Sequence, residues 1–375
     1  MPGFELYDHH ESDAVQEVFS EGGILFAHGF DSLRKRYHVR EFEDLLSQYF
    51  GSPYTNAVSS GTAAIKCALK ALGVSAGDEV ITQSFNFIAT VEAIADCGAV
   101  PIIADVNNNL HICPDSVASL ITSKTAAIIP VHMLGMCGDV SKILEIAHSH
   151  NIPVLEDNCE SVGASYKGKY LGTIGDIGVF SFDHGKMIAT GEGGCVLTRQ
   201  VEHHKYVSSY SDHGHALLDG VPRGSDNAIM PGFNYRMTEL QAAVGKVQLS
   251  KLTFMLNQNK LRYETIYSRL SRSFSIRLSQ PESVPTYDTL MFQPGSSERI
   301  ENCINILKKR GLGTKNIPDS MKWHCSYYWN HVLDDTNLSR SYNTQAALSK
   351  YVAIPILLKK DVKFYDQLAT ELAAC

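Results

Sequence analysis

TNAVSSGTAAIKCALKAL, residues Thr55–Leu72, passes from a short apolar run through a Ser-Ser-Gly turn into a segment with Ala63, Ala64, Cys67 and Ala68 at helical spacing. It reads as strand, loop, helix. Such a loop ends at a helix N-terminus, where backbone N–H groups lack intrahelical acceptors and the dipole favours an anion. Gly61 permits close approach of the backbone, and Ser60 and Thr62 add hydroxyls, so Ser60, Gly61 and Thr62 suit a phosphate. The same three residues also read as a plain helix cap.

The pattern repeats on the C-terminal side. Apolar runs at Thr55–Val58, Glu79–Thr82, Pro101–Asp105, Ala126–His132, Pro153–Asp157, Ile177–Phe182 and Gly194–Leu197 alternate with helical stretches such as Thr62–Leu72, Thr90–Cys97 and Asp139–His148. Alternation of this kind predicts an α/β domain with a mostly parallel sheet. Only a turn separates the last two runs, so they read as an antiparallel or hairpin-like addition. Upstream, Val39–Tyr49 is a predicted helix with Phe42, Leu45, Leu46 and Tyr49 on one side.

The pattern changes from Pro231. Glu239–Leu249 is apolar on one face, and Phe254–Phe274 is a long, charged, periodic segment suited to bridging two domains. Helices at Ser297–Arg310 and Asn343–Lys350, with strands at Thr289–Gln293 and Tyr351–Leu357, predict a smaller C-terminal α/β domain. The expected division is 1–245 for the N-terminal segment and large domain and 246–375 for the small one.

The chain's 375 residues suffice for such a two-domain body, and 44% hydrophobic with 19% charged residues is an ordinary soluble composition. A formal charge of -7 argues against broad attraction to a nucleic acid backbone. Arg34, Lys35, Arg36 and Arg40 form a local basic patch that reads as a solvated face, an interface or an anion contact. The apolar runs have strand length and the N-terminus lacks signal-peptide character, so the expectation is a cytoplasmic protein without membrane association. Nine scattered cysteines without a Cys-x-x-Cys pair read as reduced thiols. His203-His204 and His213-Gly-His215 lack the carboxylate or cysteine company of a zinc motif, so no metal is expected. No Gly-x-Gly-x-x-Gly follows the first strand, which weighs against a nicotinamide-binding domain.

Open parallel sheets collect ligand groups at the carboxyl ends of their strands. Three further loops arrive there. Phe85-Asn86-Phe87 offers an aromatic ring that stacks on a planar ligand or belongs to the core. Val154–Glu160 runs from apolar residues into Glu156 and Asp157, carboxylates that are costly to bury unless paired. A protonated pyridine nitrogen is one good partner, and keeping it protonated makes the ring the electron sink of pyridoxal phosphate chemistry. A helix N-terminal acid is the other reading. Phe180–Lys186 places Lys186 just beyond an apolar strand, before the glycine-rich Thr190–Gly194. A lysine in a rigid loop against apolar walls can have a lowered pKa and bond covalently to a carbonyl; alone, it is equally a surface lysine. The order phosphate loop, aromatic ring, acid, lysine is more specific than any one part.

In wording and order, Ser60–Ala64, Leu155–Asp157, Gly175–Gly178, Ser181–Lys186, Thr190–Gly194 and Phe233–Glu239 resemble the DegT/DnrJ/EryC1/StrS sugar aminotransferases. The resemblance covers nearly the whole chain. It implies the fold type I of pyridoxal phosphate enzymes, like aspartate aminotransferase, with a large, mostly parallel seven-stranded sheet. It also implies pyridoxal 5'-phosphate as cofactor, with pyridoxamine 5'-phosphate formed in turnover. Lys186 would carry the cofactor and move the proton, Asp157 would bind the ring nitrogen, and Phe87 would stack on the ring. Ser60, Gly61, Thr62 and Ser181 would hold the phosphate, and Asn234 would reach the phosphate site of a neighbouring subunit in a homodimer with shared active sites. Glu160 stands where the family has glutamine or histidine near the ring hydroxyl. A carboxylate beside a phenolate-like oxygen is unfavourable unless one of them holds a proton.

Within the family, Met1–Leu6, Val131–Met133, Tyr166–Gly172, Ser211–His215 and Met230–Asn234 resemble members that aminate an eight-carbon lipopolysaccharide sugar. That likeness implies 3,8-dideoxy-8-oxo-manno-octulosonate as acceptor and glutamate as donor, with His213 and His215 near the mouth of the site. A nucleotide-linked 4-keto or 3-keto hexose is the alternative acceptor. Trp323, Tyr327, Tyr328 and Trp329 line a sugar pocket or belong to the small-domain core. Two rivals remain: a sugar 3-dehydratase of the same fold, whose kind carries histidine at the position of Lys186, and a non-catalytic sugar- or cofactor-binding protein.

Overall fold

Seven strands build the large sheet: β1 (Tyr54–Val58), β2 (Glu79–Gln83), β3 (Val100–Ala104), β4 (Thr125–Ile129), β5 (Leu155–Asp157), β6 (Ile177–Ser181) and β7 (Gly194–Thr198). The structure is a computed structural model, and it describes residues 3–218 and 220–375. Met1 and Pro2 of the opening segment lie outside the described residues. β3, β2 and β4 pair in parallel, as do β5 and β6, and parallel bridges Ile128↔Val154 and Val131↔Asp157 join the two groups. β7 is antiparallel to both β6 and β1. The spatial order is therefore β3-β2-β4-β5-β6-β7-β1, six parallel strands and one antiparallel. The expected hairpin-like addition is corrected in one respect: β7 is inserted between β6 and β1 and is fully buried.

Helices cover both faces, as a buried parallel sheet requires. They include α1 (His9–Ser20), α2 (His38–Phe50), α3 (Gly61–Ala71), α4 (Ile88–Asp96), α5 (Pro114–Leu120), α6 (Val140–Ser149) and α7 (Val201–Tyr210). On α2, Phe42 and Leu46 are buried, whereas Leu45 is exposed: helical rotation carries it off the face it was expected to share. The basic patch beside α2 is divided: Lys35 and Arg40 are exposed, Arg36 is half-buried, and only Arg34 turns inward. Arg34 is buried against Glu239 at 3.0 Å, and Arg36 pairs with Glu17, Glu21 and Glu41.

The two segments expected at 239–249 and 254–274 form one helix, α8 (Glu239–Leu270), closed at its start by a Thr238–Gln241 capping box. Its 32 residues span about 48 Å. Ala242, Leu249, Leu252 and Met255 pack with α2 and the large sheet. Tyr263, Ile266 and Leu270 pack with the small antiparallel sheet β8 (Ser275–Ile276), β9 (Thr289–Gln293) and β10 (Val352–Pro355). The change of core thus falls between Met255 and Tyr263, while the 245/246 division lies inside the same helix.

Two features lock the small unit against the large one. Ile317, Cys325, Leu348, Tyr351 and Ala353 join the core formed by α3 and the large sheet. Arg277, buried beside β8, donates to the carbonyls of Asn109 and Met133 at 2.9 Å each and of Leu110 at 3.4 Å. Burial lowers its pKa to about 10, so it stays cationic at neutral pH. Among the described residues, no helix is long and apolar enough to cross a membrane.

Candidate active site

The sheet register sets the site. Val58, Gly194 and Ser181 stand level across β1, β7 and β6, and Asp157 ends β5 beside Val179. The carboxyl ends of β1, β5 and β6 therefore open at one edge, where a cavity of about 380 Å³ lies.

At one end, Ser60 caps α3 by accepting the Ala63 N–H at 3.1 Å. The helix comes so close to β6 that a Cβ on Gly61 would lie 2.8 Å from Ser181 Cβ and 3.1 Å from Cys159 Sγ. Only glycine allows that approach. The start of α3, Thr62 and Ser181 together line this part of the cavity, an arrangement of amides and hydroxyls that can take an anion.

Opposite stands Asp157, 3% exposed, accepting from Thr90 Oγ1 at 2.7 Å and from the Cys159 N–H at 3.1 Å. Glu156, the preceding residue, points to the other face of the strand. It accepts the N–H groups of Ile174 at 2.7 Å, Gly175 at 2.6 Å and Gly172 at 3.1 Å, and pairs with His132 at 3.2 Å. Burial acts to raise its pKa, but His132 and these amides outweigh burial and lower it. Glu156 is therefore structural, and Asp157 alone faces the cavity. Phe87 precedes α4 at the cavity wall, 41% exposed, its ring 5.3 Å from that of His324.

Lys186 enters from the β6–β7 connection. Its N–H bonds Asp183 O at 2.9 Å, and Asp183 Oδ1 accepts the Gly185 N–H at 2.8 Å, so the turn is tight. Its Nζ lies 3.4 Å from Glu160 Oε1, the glutamate buried and the lysine half-buried. Burial alone would lower the lysine pKa, as its apolar setting suggested; the charge of Glu160, with a smaller effect from Asp183, reverses the sign and raises it. Burial likewise acts to raise the Glu160 pKa, but Lys186, His324, Lys315 and the Leu134 N–H hold it down at about 2.

The other expected positions lie elsewhere. Asn234 is exposed and pairs through its backbone with Asp212, away from this protomer's cavity. His213 is exposed with φ 56°, and His215 sits 3.5 Å from Asp226. Backbone bridges and the Arg223–Asp212–Arg236 ion pairs fold this loop on itself, so neither histidine lines the cavity. Trp323 is 58% exposed and outside the cavity, and Tyr327 borders a separate depression with Tyr328 and Tyr342. Trp329 is core. Sequence reasoning missed Thr90, Lys315, Asn316 and His324, all lining the cavity. Thr90 carried a weak signal, lying one turn beyond Phe87. The other three carried none, because their segment reaches the site only by tertiary folding.

A helix N-terminus suited to an anion, a buried carboxylate and a lysine that line one cavity fit pyridoxal phosphate on three counts: phosphate, ring nitrogen and covalent attachment. Fold and site define a pyridoxal phosphate-dependent aminotransferase of fold type I. Residues 28–366 match the DegT/DnrJ/EryC1/StrS aminotransferase family, and the chain belongs to it. GDP-perosamine synthase of Escherichia coli O157:H7 is 34% identical over 284 residues, 76% of this chain and 77% of that one. An aminotransferase from Psychrobacter cryohalolentis superposes with TM-score 0.83 at 25% identity, over 98% of this chain and 96% of that one. The fold extends to E. coli GDP-4-keto-6-deoxy-D-mannose-3-dehydratase, solved with hydrated cofactor: TM-score 0.82, 22% identity, over 98% of this chain and 97% of that one.

Proposed function

We propose that this enzyme moves the amino group of glutamate to the carbonyl carbon of a keto- or aldehydo-sugar in surface polysaccharide biosynthesis. The proposed acceptor is 3,8-dideoxy-8-oxo-manno-octulosonate. A nucleotide-linked 4-keto or 3-keto hexose is the second reading, favoured by the likeness to GDP-perosamine synthase. The observation that carries the reading is that Lys186 lines one cavity together with Gly61 and Asp157. Lysine at this position also argues against the dehydratase.

Bound pyridoxal phosphate supplies an aldehyde for covalent attachment and a ring that accepts electron density. The α3 amides, Thr62 and Ser181 would anchor its phosphate; Asp157, oriented by Thr90, would hold the ring nitrogen protonated; Phe87 would cover a ring face. The Lys186 amine would take the proton from the donor α-carbon and deliver one to the carbon that derives from the cofactor aldehyde. Lys315 and Asn316 offer donors to substrate hydroxyls, and the buried Asn316 Nδ2 has no acceptor among the described residues. Asn234 acts in the partner's site of a homodimer. Its exposure, next to the exposed Phe233 and Ile229, supports that role. Nine free cysteines suit a cytoplasmic setting.

The test is the visible spectrum of purified, cofactor-loaded enzyme. Glutamate should abolish the band of lysine-bound cofactor and raise that of pyridoxamine phosphate. Keto- and aldehydo-sugars are then screened for restoring the first band. Indifference to glutamate would remove the donor assignment, and lysine-bound cofactor in Lys186→Ala would remove the assignment of Lys186.

A further inference from the structure

Glu160 is a carboxylate buried in the cavity wall, and three basic side chains surround it. Lys186 Nζ lies 3.4 Å from Oε1 and His324 Nε2 lies 4.0 Å from the same atom, while Oε2 accepts the Leu134 N–H at 3.3 Å. Lys315, the third, is tied to Asp288 at 3.1 Å. Burial and the neighbouring lysines lower the pKa of His324, which leaves Lys186 as the cation that Glu160 can hold directly. We propose that Glu160 is a positioning residue that docks the Lys186 ammonium whenever that lysine is not bonded to the cofactor, and so sets how much neutral amine is available. This rests on Lys186 being the cofactor-bearing lysine.

The consequence is specific. Only the neutral amine can attack the cofactor aldehyde or take a proton from the donor carbon. A docked ammonium is held in place at the cost of reactivity near neutral pH. The other groups facing the pair are Cys159 and Asp157 at the end of β5, Asp183 and Glu192 of the β6–β7 connection, and Arg277 behind the wall. Cys159 is pushed well up by burial and stays a neutral thiol. Among the acids of the described residues, Glu160 alone has an oxygen at ion-pair distance from Nζ.

The experiment is trace labelling of the cofactor-free full chain with acetic anhydride across pH, read peptide by peptide. Exposed Lys124 serves as the internal reference. In the wild type, Lys186 should become reactive at higher pH than Lys124, whereas burial without the dock would place it lower. Glu160→Gln should move the Lys186 profile to lower pH and raise its labelling at pH 8 several-fold, with Glu160→Asp between them. The rate of pyridoxal phosphate capture should shift likewise. A wild-type profile at or below that of Lys124 overturns the proposal even if the variants do not fold, and an unmoved Glu160→Gln profile overturns it if they do. Borohydride reduction of the holoenzyme separates the two readings. Label on another lysine defeats the assignment of Lys186, whereas label on Lys186 with unshifted profiles defeats the dock alone.

Discussion

Gly61→Ala adds one methyl group where the structure has no room for it. The new Cβ would lie 2.8 Å from Ser181 Cβ and 3.1 Å from both Ser181 Oγ and Cys159 Sγ. Carbon atoms rest about 3.5–4.0 Å apart, so something must move by roughly 0.7 Å or more. Ser181 is fixed in β6, and Cys159 by its N–H bond to Asp157, so the yielding element is the N-terminus of α3. Overpacking of this kind costs about 1–3 kcal/mol. With an unfolding entropy of about 2.1 cal/mol/K per residue, a chain of 375 residues loses about 1–4 °C in Tm. On the proposed function the larger effect falls on the cofactor, because the displaced amides are those that would face its phosphate. Thermal melts with and without pyridoxal phosphate, beside a titration of the visible band, separate the two effects. The stabilisation conferred by the cofactor should shrink more than the apoprotein Tm. A variant that melts like the wild type and binds cofactor with unchanged affinity would refute the packing argument and the cradle together.

Asp157→Asn keeps the shape of the cavity but removes the anion beneath the ring nitrogen, so single-turnover amino transfer should slow by about 10²–10³-fold while cofactor remains detectable; unchanged rates would exclude this role. Glu156→Gln sets an amide NH2 against N–H donors and should cost about 3–5 kcal/mol at pH 7. Because the folded pKa of Glu156 is depressed, that stabilisation is complete above the ordinary carboxylate value near 4.3 and lost as pH falls through the folded value. The denaturant-unfolding gap between wild type and variant should therefore narrow in acid, and a gap that widened would contradict the assignment. Arg277→Met leaves the carbonyls of Asn109, Leu110 and Met133 without their donor, at about 1–3 kcal/mol each; a Tm equal to the wild type would show that the small unit does not need this tie.

The chain's own order determined the α/β class and the seven strands, and it marked out the loops of Ser60–Thr62, Asp157 and Lys186 that line one cavity. Each is written locally, as a strand that ends in a loop carrying one chemically distinctive side chain. Strand order was not local. That β7 enters between β6 and β1 depends on pairings between residues more than a hundred positions apart, such as Val58 with Gly194. The merging of two predicted helices into α8 was decided by two cores that share one helix. The sign of the Lys186 pKa shift shows the same limit. The sequence showed a lysine against apolar walls, and the fold put Glu160 at 3.4 Å and brought His324 and Lys315 into the neighbourhood of that carboxylate. Side-chain type and spacing are fixed by the chain, but burial and the distance between charges are not, and these two quantities govern which protonation state a group adopts.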